Sequence, residues 1–301
     1  MAEHSALSEA LQALQDVSEQ ELQRSQEQQR NQEQAQGKQP TVAGLKVDGG
    51  KPWDVEAILF DKDGTIIDFV SMWGNWSELL ARRYTARLAA KGLLLPKGIF
   101  PSLWGTSLDA AGNVCAYDRN GPLAMGTMND LNAIAALQCY KLGLSWGESM
   151  QLVRESKEEA DRELKRRKSA IPLAGVVPFI EQCKKAGLKL GIVTADDTEA
   201  AREHLEWMGL LPHFSVIVGA DLVPRSKPYP DMLELACQKL GVAPSSIAII
   251  GDTDGDMRMG QAAGAALCIG IANQAASVLP SADVIIASYS QLVVEEAHTE
   301  G

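Results

Sequence analysis

The run Ile58-Leu59-Phe60-Asp61-Lys62-Asp63-Gly64-Thr65 constrains this chain more than any other stretch. It is an apolar strand that stops abruptly in two carboxylates two residues apart. A strand buried on both faces reads as a continuous apolar run, and in open α/β sheets ligands bind beyond the carboxyl ends of the strands. Alternation along an extended backbone points residues i and i+2 the same way, so Asp61 and Asp63 can face one pocket. Two unpaired like charges there repel unless a cation lies between them, which implies a divalent metal. Gly64 lets the chain turn sharply and brings a bare amide close to a bound anion, while Thr65 adds a hydroxyl donor or helps cap the next turn of the chain.

Three further apolar runs end in residue types that such a site requires. Leu188 to Val193 ends at Thr194; Phe214 to Val218 is followed after a short loop by Ser226-Lys227-Pro228; Ile247 to Ile250 ends in Gly251-Asp252-Thr253-Asp254-Gly255-Asp256. Attack by a carboxylate on a phosphate dianion brings two anions together, so a divalent cation and an ammonium must cancel charge and hold the groups in line. Lys227 supplies the ammonium. A hard cation such as Mg²⁺ takes oxygen ligands and keeps several waters, so a few carboxylates suffice. His4, His204, His213 and His298 are scattered with no metal-ligand spacing.

The four segments, in this order, resemble the four motifs of the haloacid dehalogenase-like hydrolase superfamily, especially its phosphoglycolate-phosphatase-like branch. The resemblance covers nearly everything from about Trp53 onward. It implies that Asp61 is the nucleophile that takes the phosphoryl group, and that Asp63 is the acid to the leaving alcohol and then the base to water. It implies Mg²⁺ held by Asp61, the backbone carbonyl of Asp63 and Asp252, with Asp256 as a further or water-mediated ligand. Thr194 and Lys227 would bind the phosphate, and backbone amides near Ala195 can add to that cradle.

Position 63 separates relatives. P-type ion pumps use the same nucleophile but read D-K-T-G-T, and a threonine cannot activate water as Asp63 can. Dehalogenase relatives lack the second aspartate, and receiver domains place their acids in a different order over a shorter chain. No run of eighteen apolar residues exists to span a membrane.

The 301 residues, 46% of them hydrophobic, can form one sizeable core plus a smaller module. A net charge of -11 argues against nucleic acid or an anionic membrane as a partner. Cys115, Cys139, Cys183, Cys237 and Cys268 are odd in number and contain no C-x-x-C pair, so they read as reduced thiols of a cytoplasmic protein.

The expected organisation has three parts. Residues 1–52 read as a polar arm and linker: Leu7, Leu11, Leu14 and Val17 allow one amphipathic helix over Ala6 to Leu22 and a weak self-association, Gln23 to Gln39 is Gln/Glu-rich, and Pro40 to Pro52 is the linker. The arm lacks the apolar stretch of a signal peptide and carries acids that a mitochondrial transit peptide avoids. Residues 53–68 and 171–301 read as a doubly wound, mainly parallel Rossmann-like α/β core. Residues 69–170 read as an inserted all-helical cap, with helices over Trp73 to Lys91, Leu108 to Tyr117, Asp130 to Leu142 and Trp146 to Lys168. The insertion resembles the first cap class of the family, which closes over the site and excludes water.

The cap carries the substrate question. Trp73 and Trp76 lie where a hinge meets the pocket, although their i, i+3 spacing also suits packing of the first cap helix. Thr127, in the loop Asn120 to Asn129, is a second candidate for substrate contact. Arg82, Arg83 and Arg87 read as an exposed basic helix face. Asp254 and Asp256 both suit a helix start, where the dipole favours acids. The expected function is a Mg²⁺-dependent phosphatase of a small phosphorylated metabolite, phosphoglycolate first. Sugar-phosphate, nucleotide or pyrophosphate hydrolysis and phosphomutase chemistry remain open within the fold, as does a non-catalytic phosphate-binding protein that recruits a partner through its arm. Intact Asp61, Asp63, Lys227 and Asp252 argue against the last.

Overall fold

The computed structural model describes residues 41–96, 98–272 and 279–295. The helix expected over Ala6 to Leu22, the Gln-rich tract and the self-association assigned to them lie outside the described residues. The segment read as a linker is different from that expectation: it contains strand β1, Ala43–Val47, with Ala43 and Leu45 buried. Its alternating side chains suit a strand with one covered face. It pairs antiparallel with β2, Trp53–Val55, and with a strand near the other end of the described chain, Leu292–Glu295.

Strand β3, Ala57–Phe60, is buried throughout and carries Asp61 at its carboxyl end. The chain then enters the insertion through a π-helical turn, Val70–Gly74, that runs directly into α1, Asn75–Ala90. A short helix α2, Ile99–Trp104, leads into an antiparallel hairpin of β4, Thr106–Leu108, and β5, Val114–Tyr117. The hairpin corrects the expected helix over Leu108 to Tyr117. Asp109 turns its carboxylate back onto the amides of Ala111 and Asn113, each at 2.9 Å, and Gly112 takes a φ of +86°. Both features give the backbone an alternative to the helix.

Three helices complete the insertion: α3, Pro122–Met125, α4, Met128–Lys141, and α5, Trp146–Arg167. Ser145 and Glu148 form a capping box at the start of α5. Thr127 and Asp130 form another at the start of α4, with Thr127 as its cap. These pairs satisfy amides that an α-helix leaves unbonded at its first turn. Tyr84, Leu88, Ala135, Ala136, Cys139, Leu152 and Val153 pack α1, α4 and α5 into their own small core.

The rest alternates helix and strand: α6, Val176–Lys185; β6, Lys189–Val193; α7, Thr198–Trp207; β7, Val216–Val218; α8, Asp231–Leu240; β8, Ile247–Gly251; α9, Asp254–Ala263; β9, Leu267–Ile271; β10, Val284–Ile286; and β11, the Leu292–Glu295 strand already paired with β1. Five of these strands and β3 form a parallel sheet in the order β10-β9-β8-β3-β6-β7, a doubly wound α/β arrangement with β3 at its centre. Period-two alternation divides the core. Ile58, Phe60, Ile192 and Ile250 face Phe179, Ile180, Ala201 and Leu205 of α6 and α7, while Ala57, Leu59, Val193 and Ile249 face Met232, Ala236, Met257 and Met259 of α8 and α9. Chain order reverses beside β3, which opens a crevice at the carboxyl ends of β3, β6 and β8. No helix among the described residues is long and apolar enough to cross a membrane.

Candidate active site

Asp61, Asp63, Thr194, Ala195, Lys227, Asp252 and Asp256 line one cavity of about 30 Å³ in that crevice. Each comes from a strand end, the loop after it or, for Asp256, the first turn of the following helix α9, because the parallel sheet aims four carboxyl ends in one direction. Ala124 and Met125 of α3 complete the wall. The cavity has room for about one water, so the insertion is closed over the carboxylates. A larger apolar cavity of about 340 Å³, walled by Phe100, Trp104 and Val114 within the insertion, contains none of these acids.

One ammonium serves two acids. Lys227 Nζ lies 2.5 Å from Asp61 Oδ1 and 2.6 Å from Asp256 Oδ1, with all three side chains buried. Burial alone would lower the lysine, but Asp256 and Asp61 hold it above its ordinary range. Asp61 is raised well above the usual carboxylate range by burial, with Asp256, Asp252 and Asp63 adding to the rise and only Lys227 opposing it. Burial lifts Asp252 to about 7 despite the opposing charge of Arg119. The two directions at Lys227 and Asp61 are consistent once charge is counted, since one ammonium cannot neutralise three crowded carboxylates.

Asp61, Asp252 and Asp256 each offer an oxygen within 4.8 Å of the others. Asp252 Oδ1 is buried and has no hydrogen-bond partner. A buried polar atom of that kind is costly unless an ion or water meets it. Hard oxygen donors, excess negative charge and an unmatched oxygen together fit a hard divalent cation. Asp256 divides its work: Oδ2 accepts from Thr253 Oγ1 at 2.6 Å and from the Thr253 amide at 3.1 Å, capping α9, while Oδ1 faces Lys227. Both readings of this residue therefore apply, one to each oxygen. Asp254 lies outside the cavity and accepts from the Ser281 amide at 3.0 Å.

Two glycines make this crowding feasible. Gly64 has a φ of +82°, and a Cβ there would stand 2.3 Å from Asp252 Oδ2 and 2.7 Å from the Tyr117 hydroxyl. At Gly251 a Cβ would stand 2.4 Å from that of Asp256. Thr65 sits deeper than its expected phosphate role requires: it is fully buried, its hydroxyl has no hydrogen-bond partner, and its carbonyl accepts from Tyr289 at 3.1 Å.

The proposed substrate contacts are placed differently. Trp73 reaches the acids, with Nε1 donating to Asp63 Oδ1 at 2.6 Å. Trp76 is buried inside the insertion, stacked on Trp104 and donating to Asp161 at 2.8 Å. Thr127 is committed to its capping box. Arg82 is exposed and pairs with Glu78 of its own helix, whereas Arg83 and the half-buried Arg87 reach across to Glu159 of α5, Arg87 also to Glu155.

Sequence reading missed four contributors. Tyr117 donates to Asp252 Oδ2 at 2.7 Å, and Arg119 donates to the carbonyls of Asp252 and Ile271 at 2.9 and 2.7 Å. The strand that carries Tyr117 was expected to be a helix and Arg119 follows it in a loop, so nothing in the pattern aimed them at β8. Behind Asp63, Lys62 is fully buried against Asp63, Asp196 and His204. Burial, together with Lys62 and Lys165, pushes His204 down to about 2, so its neutral ring accepts from the ammonium through Nδ1. The one available signal was the lysine itself, an ammonium between two acids at the end of a buried strand.

A family model described as haloacid dehalogenase-like hydrolase matches residues 55–264. Phosphoglycolate phosphatase of Escherichia coli (strain K12) is 38% identical over 78 residues, which is 26% of this chain and 31% of that protein, so the match spans about a third of the relative's length. A protein of Clostridium perfringens (strain 13 / Type A) named as a pyrophosphatase is 24% identical over 215 residues, 71% of this chain and 83% of its own length. Among solved structures, a HAD phosphatase from Thermococcus onnurineus superposes with a TM-score of 0.55 at 22% identity, covering 78% of this chain and 94% of that one. That likeness is one of fold.

Proposed function

The chain belongs to the haloacid dehalogenase-like hydrolase family, and from that premise we propose that it is a Mg²⁺-dependent phosphatase of small phosphomonoesters. The observation that carries this reading is the single buried cavity shared by Asp61, Asp63, Lys227, Asp252 and Asp256. Asp61 would attack phosphorus, forming its Oδ–P bond as the ester P–O bond breaks, and Asp63 would give its proton to the departing alkoxide. Water would then lose a proton to Asp63 and attack the aspartyl phosphate, releasing inorganic phosphate and restoring both acids. Lys227 holds Asp61 in line and offsets charge that gathers on the phosphoryl oxygens. Asp61, Asp252 and Asp256, with the Asp63 carbonyl, would hold Mg²⁺, which when bound neutralises phosphate charge.

Thr194 and Ala195 line the wall where the phosphoryl oxygens would lie. The tight closure by Met125 suits a short substrate better than a bulky one. Phosphoglycolate is the first candidate because a relative of that name is 38% identical over 78 residues, and pyrophosphate is the second because a relative named for it matches over 215 residues. The test is phosphate release from a panel of phosphomonoesters and pyrophosphate, with Mg²⁺ and with EDTA, for wild type and Asp61→Asn. Turnover that needs Mg²⁺ and disappears in the variant supports the reading. Release that survives EDTA or the substitution removes it.

A further inference from the structure

Asp63 does not hang freely in the cavity. Its Oδ1 accepts from Trp73 Nε1 at 2.6 Å and from Lys62 Nζ at 2.8 Å, and the same ammonium lies 2.8 Å from Oδ2. Lys62 is itself immobilised, with Asp196 Oδ2 at 3.3 Å and His204 Nδ1 at 3.1 Å. An ammonium has three donors, and Asp63, Asp196 and His204 account for three acceptors. Trp73 is fixed as firmly: Trp76 meets its ring edge-on at 5.6 Å from the insertion side, and His204 meets it at 6.2 Å from the core side. The indole projects from the π-helical turn Val70–Gly74, a wide turn of a kind that recurs at functional sites.

Folding alone does not call for this arrangement. Burying an ammonium and its acids costs several kcal/mol each in desolvation, and an apolar side chain of similar volume often packs as stably. The cluster is nevertheless placed directly behind the one carboxylate that must carry a proton.

We propose that Lys62 and Trp73 are positioning residues for Asp63: the indole fixes Oδ1, the ammonium bridges both oxygens, and together they hold the carboxyl in one orientation toward the substrate. This rests on Asp63 being the acid and base of the phosphatase reading. Because Trp73 belongs to the entry of the insertion and Lys62 to the sheet, the two parts of the fold jointly set the direction of the acid.

Such a role has a signature that a purely structural one lacks. A strongly basic leaving group needs the proton, whereas a weakly basic one departs without it. Phenyl phosphate and p-nitrophenyl phosphate are close in shape and differ in this respect. The experiment measures kcat/KM for both esters with Mg²⁺ in wild type, Trp73→Phe, which keeps a ring and deletes the N–H, and Lys62→Met. The expected result is a fall in the phenyl to nitrophenyl ratio of about ten-fold or more in each variant, since a well-placed general acid contributes about 10²–10⁴. If both esters lose rate by the same factor, the residues only hold the fold together and the proposal is overturned. Should Lys62→Met lose its circular dichroism, Trp73→Phe decides alone. A wild type inert toward both esters removes the phosphatase reading itself, an outcome distinct from an unchanged ratio.

Discussion

The Tyr117 hydroxyl donates a 2.7 Å hydrogen bond to Asp252 Oδ2, joining the hairpin of the insertion to the end of β8. Arg119 Nη1 lies 3.4 Å from the same oxygen, while Oδ1 of the same carboxylate has no partner. One oxygen is thus held and the other presented, the usual division of a ligand and its outer support. Replacing Tyr117 by Phe should weaken Mg²⁺ binding by about ten-fold or more, as loss of such support does elsewhere. Titrating Mg²⁺ into each protein by calorimetry measures this directly. Equal affinities would mean that the tyrosine latches the insertion without supporting the ligand.

Lys227 carries a different kind of weight. It is the shared partner of Asp61 and Asp256, and its removal leaves two buried carboxylates facing each other. Lys227→Met should abolish turnover and cost about 3–5 kcal/mol of stability without metal, the usual penalty for stranding one side of a buried pair. Mg²⁺ supplies charge to the same acids, so it should recover part of that stability without restoring turnover. Urea unfolding with and without Mg²⁺ separates the two effects. A variant as stable as wild type in EDTA would show that the acids relax by taking up protons.

Much of this site was legible in the sequence because strand ends are legible. Four apolar runs are each followed, at once or after a short loop, by a polar residue, and a parallel sheet aims all four ends into one crevice, so Asp61, Thr194, Lys227 and Asp252 group from the sequence alone. The helix expected over Leu108 to Tyr117 failed for a local reason: Asp109 and Gly112 make a turn that outweighs a helical pattern. Tyr117 was lost with it, and Arg119 in the loop beyond carried no signal of its own. Position 45 failed for a distant one, since Leu45 is buried only because β1 finds β11 some 250 residues away, a pairing that composition cannot reveal. Thr127 shows the opposite error. A polar residue in a loop before a helix suits a substrate contact and a cap equally, and the cap took it.

His204 should leave a signature in the pH dependence of stability. Its ordinary value is 6.5, and burial beside Lys62 and Lys165 brings it to about 2 in the folded protein. Between those limits the unfolded chain binds the extra proton, so this residue's stabilising contribution is complete above pH 6.5 and is lost as pH falls toward 2. At somewhat over about 1 kcal/mol per pH unit, the loss between pH 6.5 and 4.5 is on the order of 2–3 kcal/mol. Asp61, Asp196 and Asp252 are raised and act with the opposite sign, so the useful quantity is the difference from His204→Asn, whose side-chain oxygen can accept from Lys62. Denaturant unfolding of both proteins from pH 7 to 4.5 should show that difference converging as pH falls. A constant difference would place the proton elsewhere.

Met125 concerns access. Its side chain and Ala124 close a cavity of about 30 Å³ around the acids, and its Cε would stand 3.0 Å from a Cβ placed on Gly255 at the start of α9. A space suited to about one water is too small for a phosphomonoester, so on the proposed phosphatase reading α3 would have to withdraw to admit substrate. Met125 lines the cavity with the acids, so on that reading it would limit the volume open to a longer substrate. Met125→Ala removes that bulk while leaving every acid and Lys227 in place. Its kcat/KM should rise for bulky phosphomonoesters relative to short ones, by about ten-fold, the scale on which a few methylene groups in an apolar pocket discriminate. A size profile identical to wild type would mean that the substrate leaves the cavity along another wall, and Asp63 with its Trp73 partner would then be the side to examine.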